Sequence, residues 1–288
     1  MTRDVGIVGL GLVGLALAGR LASFGWSVRG FDIAPAQREA LRASGAMAVD
    51  AVQEALACAT VIIAVYDDAQ VGEVLAHALR PGTTIVDCVT GDPAFAEATA
   101  MRLAASGIGY VDVPLVGSSR QIAKGEALAL AGGDDAALAS QAALLATIAR
   151  SVTHFGPAGA GRAAKLATNL ILGLNRAAFA EGLAFAEQMG LDARRFCDFV
   201  AASPAGSAAA QSKSARMLER DYVPESRVRQ HRKDLSLIVD AAQRCGAALV
   251  LARAHAALLD AAIDEGLGDL DNAAVIEHYR RGVHAPRT

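Results

Sequence analysis

Gly9-Leu10-Gly11-Leu12-Val13-Gly14 stands directly after a short apolar run, Val5 to Val8, and directly before a helix-like stretch, Leu12 to Phe24. A G-x-G-x-x-G in that setting leaves few folds open. Gly9 permits a tight turn, Gly11 lets a ligand approach the backbone, and Gly14 lets the helix pack close to the strand. The N–H groups at the helix start then face an anion. A second strand, Ser27 to Phe31, ends at Asp32, 23 residues after Gly9. An acidic side chain there accepts hydrogen bonds from the hydroxyls of an adenosine ribose. Strand, glycine turn, helix, strand and acid in this order predict a dinucleotide site. A signal peptide is the competing reading, with Arg3 ahead of an apolar run ending at Gly19. Asp4 in its flank and the glycine-rich run itself oppose that, and its removal would delete the first strand of an α/β pattern.

That pattern fills the first half of the chain. Further strands are expected at Val61–Val65, Thr84–Asp87, Gly109–Asp112 and Ala127–Ala131, with helical stretches at Ala36–Ser44, Ala69–Ala78 and Ala94–Ser106. Such alternation predicts a mainly parallel, doubly wound sheet of the Rossmann type. Its ligands bind beyond the carboxyl ends of the strands. The loops of interest are therefore Tyr66-Asp67-Asp68, Val89 to Pro93, and Pro114 to Ser119. After Gly161 the pattern becomes helix alone. Arg162 to Met189 reads as one long helix, apolar around most of its circumference and therefore enclosed. Helices follow at Ala193–Ala201, Ser207–Leu218, Val228–Cys245 and Leu249–Glu265. Pro157-Ala158-Gly159-Ala160-Gly161 marks the boundary between a dinucleotide-binding domain, residues 1–160, and an all-α domain, residues 161–288.

Composition excludes several function classes. The net charge of −3, with both signs interspersed, offers no surface for a nucleic acid. Arg280, Arg281 and Arg287 are too few to alter this and read as a solvated tail. Cys58, Cys88, Cys197 and Cys245 are scattered without a C-x-x-C, which argues against a zinc cage or disulfide framework, so no metal is expected. The same scatter suits a reducing, cytoplasmic compartment. No uncharged stretch reaches the length of a membrane span.

Lys165 and Asn169 lie one helical turn apart and so share a face. Helical lysines usually meet solvent. Here Ala163, Ala164, Leu166, Ala167, Leu170, Ile171 and Leu172 leave little polar face for Lys165 to join. A desolvated lysine exchanges its proton nearer neutrality, and Asn169 beside it is suited to orienting a hydroxyl or carboxylate. The stretch Gly159-Ala160-Gly161-Arg162-Ala163-Ala164-Lys165-Leu166-Ala167-Thr168-Asn169 resembles the G-x-G-x-x-x-K-x-x-x-N signature of the β-hydroxyacid dehydrogenases. This family includes 3-hydroxyisobutyrate dehydrogenase and tartronate semialdehyde reductase, with 6-phosphogluconate dehydrogenase a larger relative. The likeness takes in Gly9 to Gly14 and the loop at Val65 and Tyr66. It continues through Asp112 to Ser118, which resembles the substrate loop, then Lys233-Asp234-Leu235 and the closing segment Gly266 to Asp271.

The resemblance implies Lys165 as general acid/base and Asn169 as a substrate contact. It places Lys233 by the nicotinamide and substrate, and makes Thr90, with Val65 and Tyr66, cofactor contacts. Read alone, Lys233 beside Asp234 is a surface ion pair. One departure stands out. The family's usual loop is D-x-P-V-S-G-G, whose serine binds the substrate carboxylate. Here Val116 occupies that position and Ser118 the second glycine. Ser118 or Ser119 replaces the missing hydroxyl, with the Gly117 and Ser118 N–H groups as an anion nest, or the two serines simply make a turn.

The expectation is an NAD-dependent enzyme, NADP being disfavoured by Asp32, that interconverts a small hydroxy acid and its oxo acid or semialdehyde. A homodimer or homotetramer is expected. An imine reductase would have a related fold but usually lacks a lysine at the Lys165 position. A nucleotide sensor without turnover would not need Lys165 and Asn169.

Overall fold

The computed structural model describes residues 3–281; Arg287 lies outside them. Two compact units divide at Lys165/Leu166, within one long helix.

Nine strands of the first unit form one sheet: β1 Asp4–Val8, β2 Ser27–Phe31, β3 Met47–Ala48, β4 Thr60–Ile63, β5 Thr84–Asp87, β6 Gly109–Asp112, β7 Leu115–Val116, β8 Leu128–Gly133 and β9 Ser151–Gly156. The order is β3-β2-β1-β4-β5-β6-β8-β7, with β9 also on β8. β3 through β6 are parallel neighbours, while β8 runs antiparallel to β6 and β7. This is the doubly wound arrangement expected, with its strand order reversing between β1 and β4, where ligands of such sheets bind. Side chains alternate between two cores. Val5, Ile7, Ile62, Val86 and Val111 belong to one, and Val8, Val61, Ile63, Ile85 and Tyr110 to the other. Burial on both faces explains why the strands read as unbroken apolar runs.

The helices of this unit are α1 Leu12–Ser23, α2 Pro35–Ala43, α3 Val52–Leu56, α4 Asp68–Val74, α5 Pro93–Ala104, α6 Ser119–Lys124, α7 Asp135–Ser140 and α8 Ala142–Ile148. The start of α9, Ala160–Gln188, also belongs here. The second unit continues α9 and adds α10 Ala193–Ala202, α11 Ala208–Glu219, α12 Val228–Cys245, α13 Val250–Ala262 and α14 Ile276–Arg281. They enclose a core that includes Leu183, Met217, Leu235, Leu259 and Ile276. The last long helix ends three residues earlier than its sequence suggests. Ile263–Leu267 forms a wider π turn in which Gly266 takes φ 84.

The arginines near the C-terminus require a correction. Arg280 is not part of a solvated tail. Its guanidinium grips both Glu187 oxygens, at 2.8 and 2.6 Å, and bonds Glu277. Two carboxylates and the Met217 carbonyl satisfy it, which tethers α14 to the end of α9. Arg281, half exposed, pairs with Glu265. Among the described residues no helix is long and apolar enough to cross a membrane.

Candidate active site

The glycine turn sits at the carboxyl end of β1. Gly9 takes φ +94, and a Cβ there would lie 2.6 Å from the carbonyl oxygen of Ala64 beyond β4. A Cβ on Gly14 would lie 1.9 Å from the Gly9 oxygen, so α1 packs directly on its own turn. Gly11 differs. A Cβ there would meet nothing within 4 Å, and the residue is exposed. It is also the N-cap of α1 and has no side-chain cap, which leaves the opening N–H groups of Leu12 and Val13 without that partner. An open glycine over an uncapped helix start suits a pyrophosphate, so the residues present fit a dinucleotide.

Asp32, at the end of β2, ties this turn down. Its Oδ2 accepts the Leu10 N–H at 2.7 Å and its Oδ1 the Ala34 N–H at 2.8 Å. Asp32 is expected from the sequence as a ribose acceptor; its hold on the turn is not. Carboxylate oxygens have enough lone pairs for both. Arg38 donates to the Asp32 carbonyl at 2.6 Å and lies 3.6 Å from Asp50, so its guanidinium is engaged within the loop after β2. Beyond β4, the Tyr66 N–H donates to the Gln70 side chain and the ring is exposed. Val65 and Thr90 are partly buried.

A buried ionic network supports these loops. Arg162, with zero exposure, donates to Asp68 at 2.7 Å, to the Asp92 carbonyl at 3.0 Å and to Asp87 at 2.7 Å. Asp87 also accepts the Tyr110 hydroxyl and the Val89 N–H. Burial alone would lower the Arg162 pKa, but Asp87, Tyr110 and Asp68 hold it above the ordinary arginine value. Asp112 accepts N–H bonds from Gly159 and Arg162, each at 2.8 Å, and thereby caps the start of α9. Burial raises the Asp112 carboxyl pKa against those two donors. Sequence reading passed over this network because acids at strand ends look alike until a shared cation gathers them. Arg162 lay in the motif only as an unspecified position.

One helical turn beyond Asp112's cap, Lys165 is buried, at 9% exposure. Its Nζ donates to the Leu115 carbonyl at 2.7 Å, which brings it against the loop from Asp112 to Ser119. In that loop Ser118 is the N-cap of α6. Its Oγ accepts the Gln121 N–H, and its own N–H donates to Gln121 Oε1 at 2.9 Å. The anion nest expected of Gly117 and Ser118 is therefore corrected, because the Ser118 N–H is committed to this capping box. The Ser118 hydroxyl, an acceptor there, keeps its own proton to donate. Ser119 is the first residue of α6 and partly buried, while Gly117 is exposed.

In the second unit Asn169 is buried, and its Nδ2 donates to Asp234 Oδ2 at 2.9 Å. Lys233 lies 3.3 Å from Asp234 Oδ1 with a mostly shielded side chain, so the pair is not an ordinary surface one. Asn169, Asp234 and Lys233 thus form one polar chain across α9 and α12. Asp234, missed as a partner of Asn169, had looked like a simple counter-ion for its neighbour. Among the described residues no group of three metal-ligating side chains occurs.

Comparison with known proteins identifies the family. Residues 4–156 match the model of the NAD binding domain of 6-phosphogluconate dehydrogenase. Residues 159–279 match that described as NAD-binding of NADP-dependent 3-hydroxyisobutyrate dehydrogenase. The chain is 30% identical to L-threonate dehydrogenase of Cupriavidus necator, over 99% of both chains. It is 28% identical to 2-(hydroxymethyl)glutarate dehydrogenase of Eubacterium barkeri, over 96% of this chain and 95% of that one. The crystal structure of 3-hydroxyisobutyrate dehydrogenase from Salmonella typhimurium superposes with a TM-score of 0.87 at 31% identity, covering 96% of this chain and 99% of that chain. With the two family models together covering most of residues 4–279, the chain belongs to the β-hydroxyacid dehydrogenase family, as an NAD(P)-binding oxidoreductase.

Proposed function

We propose that the protein interconverts a small hydroxy acid and its oxo acid or semialdehyde with NAD, using Lys165 as general acid/base. The observation that carries this reading is the 2.7 Å hydrogen bond from the buried Lys165 Nζ to the Leu115 carbonyl. It fixes the amine beside the loop that differs most from the family pattern. Gly9 to Gly14 and Asp32 would hold the dinucleotide, with Val65, Tyr66 and Thr90 along its edge. Bound nicotinamide supplies the hydride acceptor or donor.

The residues of the chain supply the rest. Lys165 removes the hydroxyl proton in oxidation and returns one in reduction, a role worth about 10²–10⁴-fold in rate. Asn169, its amide oriented by Asp234, positions the reacting oxygen. Ser118 and Ser119 donate hydroxyl hydrogen bonds to the carboxylate near Gly117, and Lys233 adds positive charge. The preference for NAD follows from Asp32, whose charge repels a 2′-phosphate, and from Arg38, which is held by the Asp32 carbonyl. Relatives act on L-threonate, 3-hydroxyisobutyrate and 2-(hydroxymethyl)glutarate by name, and these acids form the test panel. NADH formation with at least one of them is expected; tight NAD binding without turnover on any would favour a sensor.

Assembly into a homodimer or homotetramer is part of the reading, as is a cytoplasmic location. Ile171 and Phe185 on α9 and Met189 just beyond it are each more than half exposed, which supports cover by another copy. Light scattering at micromolar concentration is expected to give a dimeric or tetrameric mass.

A further inference from the structure

Asn169, Gly173 and Arg176 recur at helical spacing and form one stripe along α9. Across from it, α12 brings Asp234 to Asn169 and His231 to Gly173, and α13 adds His255. A Cβ on Gly173 would lie 2.2 Å from His231 Nε2 and 2.8 Å from His255 Nε2, so both imidazoles rest on bare backbone. Their Nε2 atoms are 2.9 Å apart.

Beside this pair two buried polar atoms have no hydrogen-bond partner among the described residues: Nε of Arg176 and Nδ1 of His255, the latter in a side chain 5% exposed. For Arg176 the environment explains this. Asp271 is the opposite charge acting on Arg176. Its own oxygens, however, already receive Lys213 and the N–H groups of Glu225, Ser226 and Ala273. Burial lowers the arginine to about 10 and the histidine to about 4, so near neutrality the first is charged and the second is not. If His231 donates across the pair, neutral His255 carries its proton on Nδ1. Each is then a shielded donor without an acceptor, and the Arg176 charge acts on His255.

We propose that Arg176 and His255 form a second anion subsite, which takes a distal carboxylate, so that the preferred substrate is a hydroxy dicarboxylate. This rests on the reading of the chain as a hydroxy acid dehydrogenase. A guanidinium matches a carboxylate in shape, and one positive charge offsets one negative charge. A phosphate dianion would leave a second charge uncompensated in a shielded place. Arg176 lies seven residues beyond Asn169, about 10 Å along the helix. Helical side chains lean toward the N-terminus. The acceptor therefore sits several ångströms past the oxygen that Asn169 orients, on an arm two or three carbons long.

The test uses the full chain with NAD and two acids that lack the reacting hydroxyl, 2-methylglutarate and isobutyrate, titrated by calorimetry. The wild type is expected to bind the dicarboxylate about 10- to 150-fold more tightly, the range for hydrogen bonds to a charged group. Arg176→Met is expected to abolish that preference. Arg176→Lys, which keeps charge and loses the fork, lowers it part-way and serves if the methionine variant does not fold. Equal binding of the two acids by the wild type, no binding of 2-methylglutarate, or an undiminished preference in both variants overturns the subsite. Tighter binding of 4-phosphonobutyrate than of 2-methylglutarate overturns the choice of carboxylate. Neither ligand reacts, so the result is independent of turnover. Failure of the dehydrogenase reading shows separately, as absence of NADH from every hydroxy acid.

Discussion

Arg162 and Asp87 form an ion pair at 2.7 Å in which neither side chain has any exposed surface. The pair joins the start of α9 to the end of β5, and Asp68, 2.7 Å away, adds the loop after β4. Removing one partner of a buried pair leaves the other charged without compensation, which typically costs 3–5 kcal/mol. Arg162→Met is therefore expected to lower unfolding free energy by about that much, as read by urea denaturation. A loss below about 1 kcal/mol, the range of exposed pairs, would show that the network does not hold the loops.

His255 gives a pH dependence with a definite sign. Burial lowers its pKa from 6.5 to about 4 in the folded chain. Between those values the unfolded chain binds the extra proton and the folded chain does not. Stability therefore rises with pH across that window and is lost as pH falls from 6.5 toward about 4. A gap of this size corresponds to roughly 3 kcal/mol at about 1.36 kcal/mol per pH unit. Thermal or urea unfolding of His255→Gln, followed from pH 7 to 4, is expected to show a shallower acid slope than the wild type. Identical slopes would place the titrating group elsewhere.

Asp32 holds the glycine turn through the Leu10 N–H, and in the proposed reading it also decides cofactor choice. The wild type is expected to show a higher kcat/KM with NAD than with NADP. Asp32→Asn, which keeps an acceptor and loses the charge, narrows that ratio. A wild-type preference for NADP would contradict the account of Asp32.

In the proposed reading Ser118 has two separable roles. As N-cap it contributes about 1 kcal/mol, which aspartate preserves; the donation to the substrate is lost, because an ionised aspartate only accepts. Ser118→Asp is expected to keep wild-type thermal stability and to raise KM for the acid by at least roughly 10-fold. An unchanged KM would leave Ser118 as a capping residue and shift the carboxylate to Ser119 or Lys233.

Much of the fold was legible because local chemistry and tertiary structure agree. The strand–glycine–helix order fixed β1 and α1, and unbroken apolar runs marked β4, β5 and β6, which bury both faces. β9 escaped notice because Ser151 to Phe155 are all exposed and show no apolar run to mark a strand. α6 escaped because its six residues are set by a capping box, a pairing of Ser118 with Gln121 that is short and local. The burial of Lys165 and Asn169 was legible from the apolar company of one helix. Their partners were not. Leu115 contributes a backbone carbonyl, which every residue has, and Asp234 reaches Asn169 from 65 positions away. Arg176 was invisible for a different reason: an arginine on a helix normally meets solvent, and only the fold shows that its Nε is shielded.

The central claim is that Lys165 transfers the proton of a hydroxy acid oxidation. Its most direct test is the appearance of NADH absorbance when NAD and each panel acid are mixed with wild type and with Lys165→Ala. NADH is expected from at least one acid with the wild type. The alanine variant is expected to turn over about 10²–10⁴-fold more slowly while binding NAD with nearly unchanged affinity. Turnover by Lys165→Ala above about a tenth of the wild-type rate, short of even the low end of acid/base catalysis, would contradict the assignment.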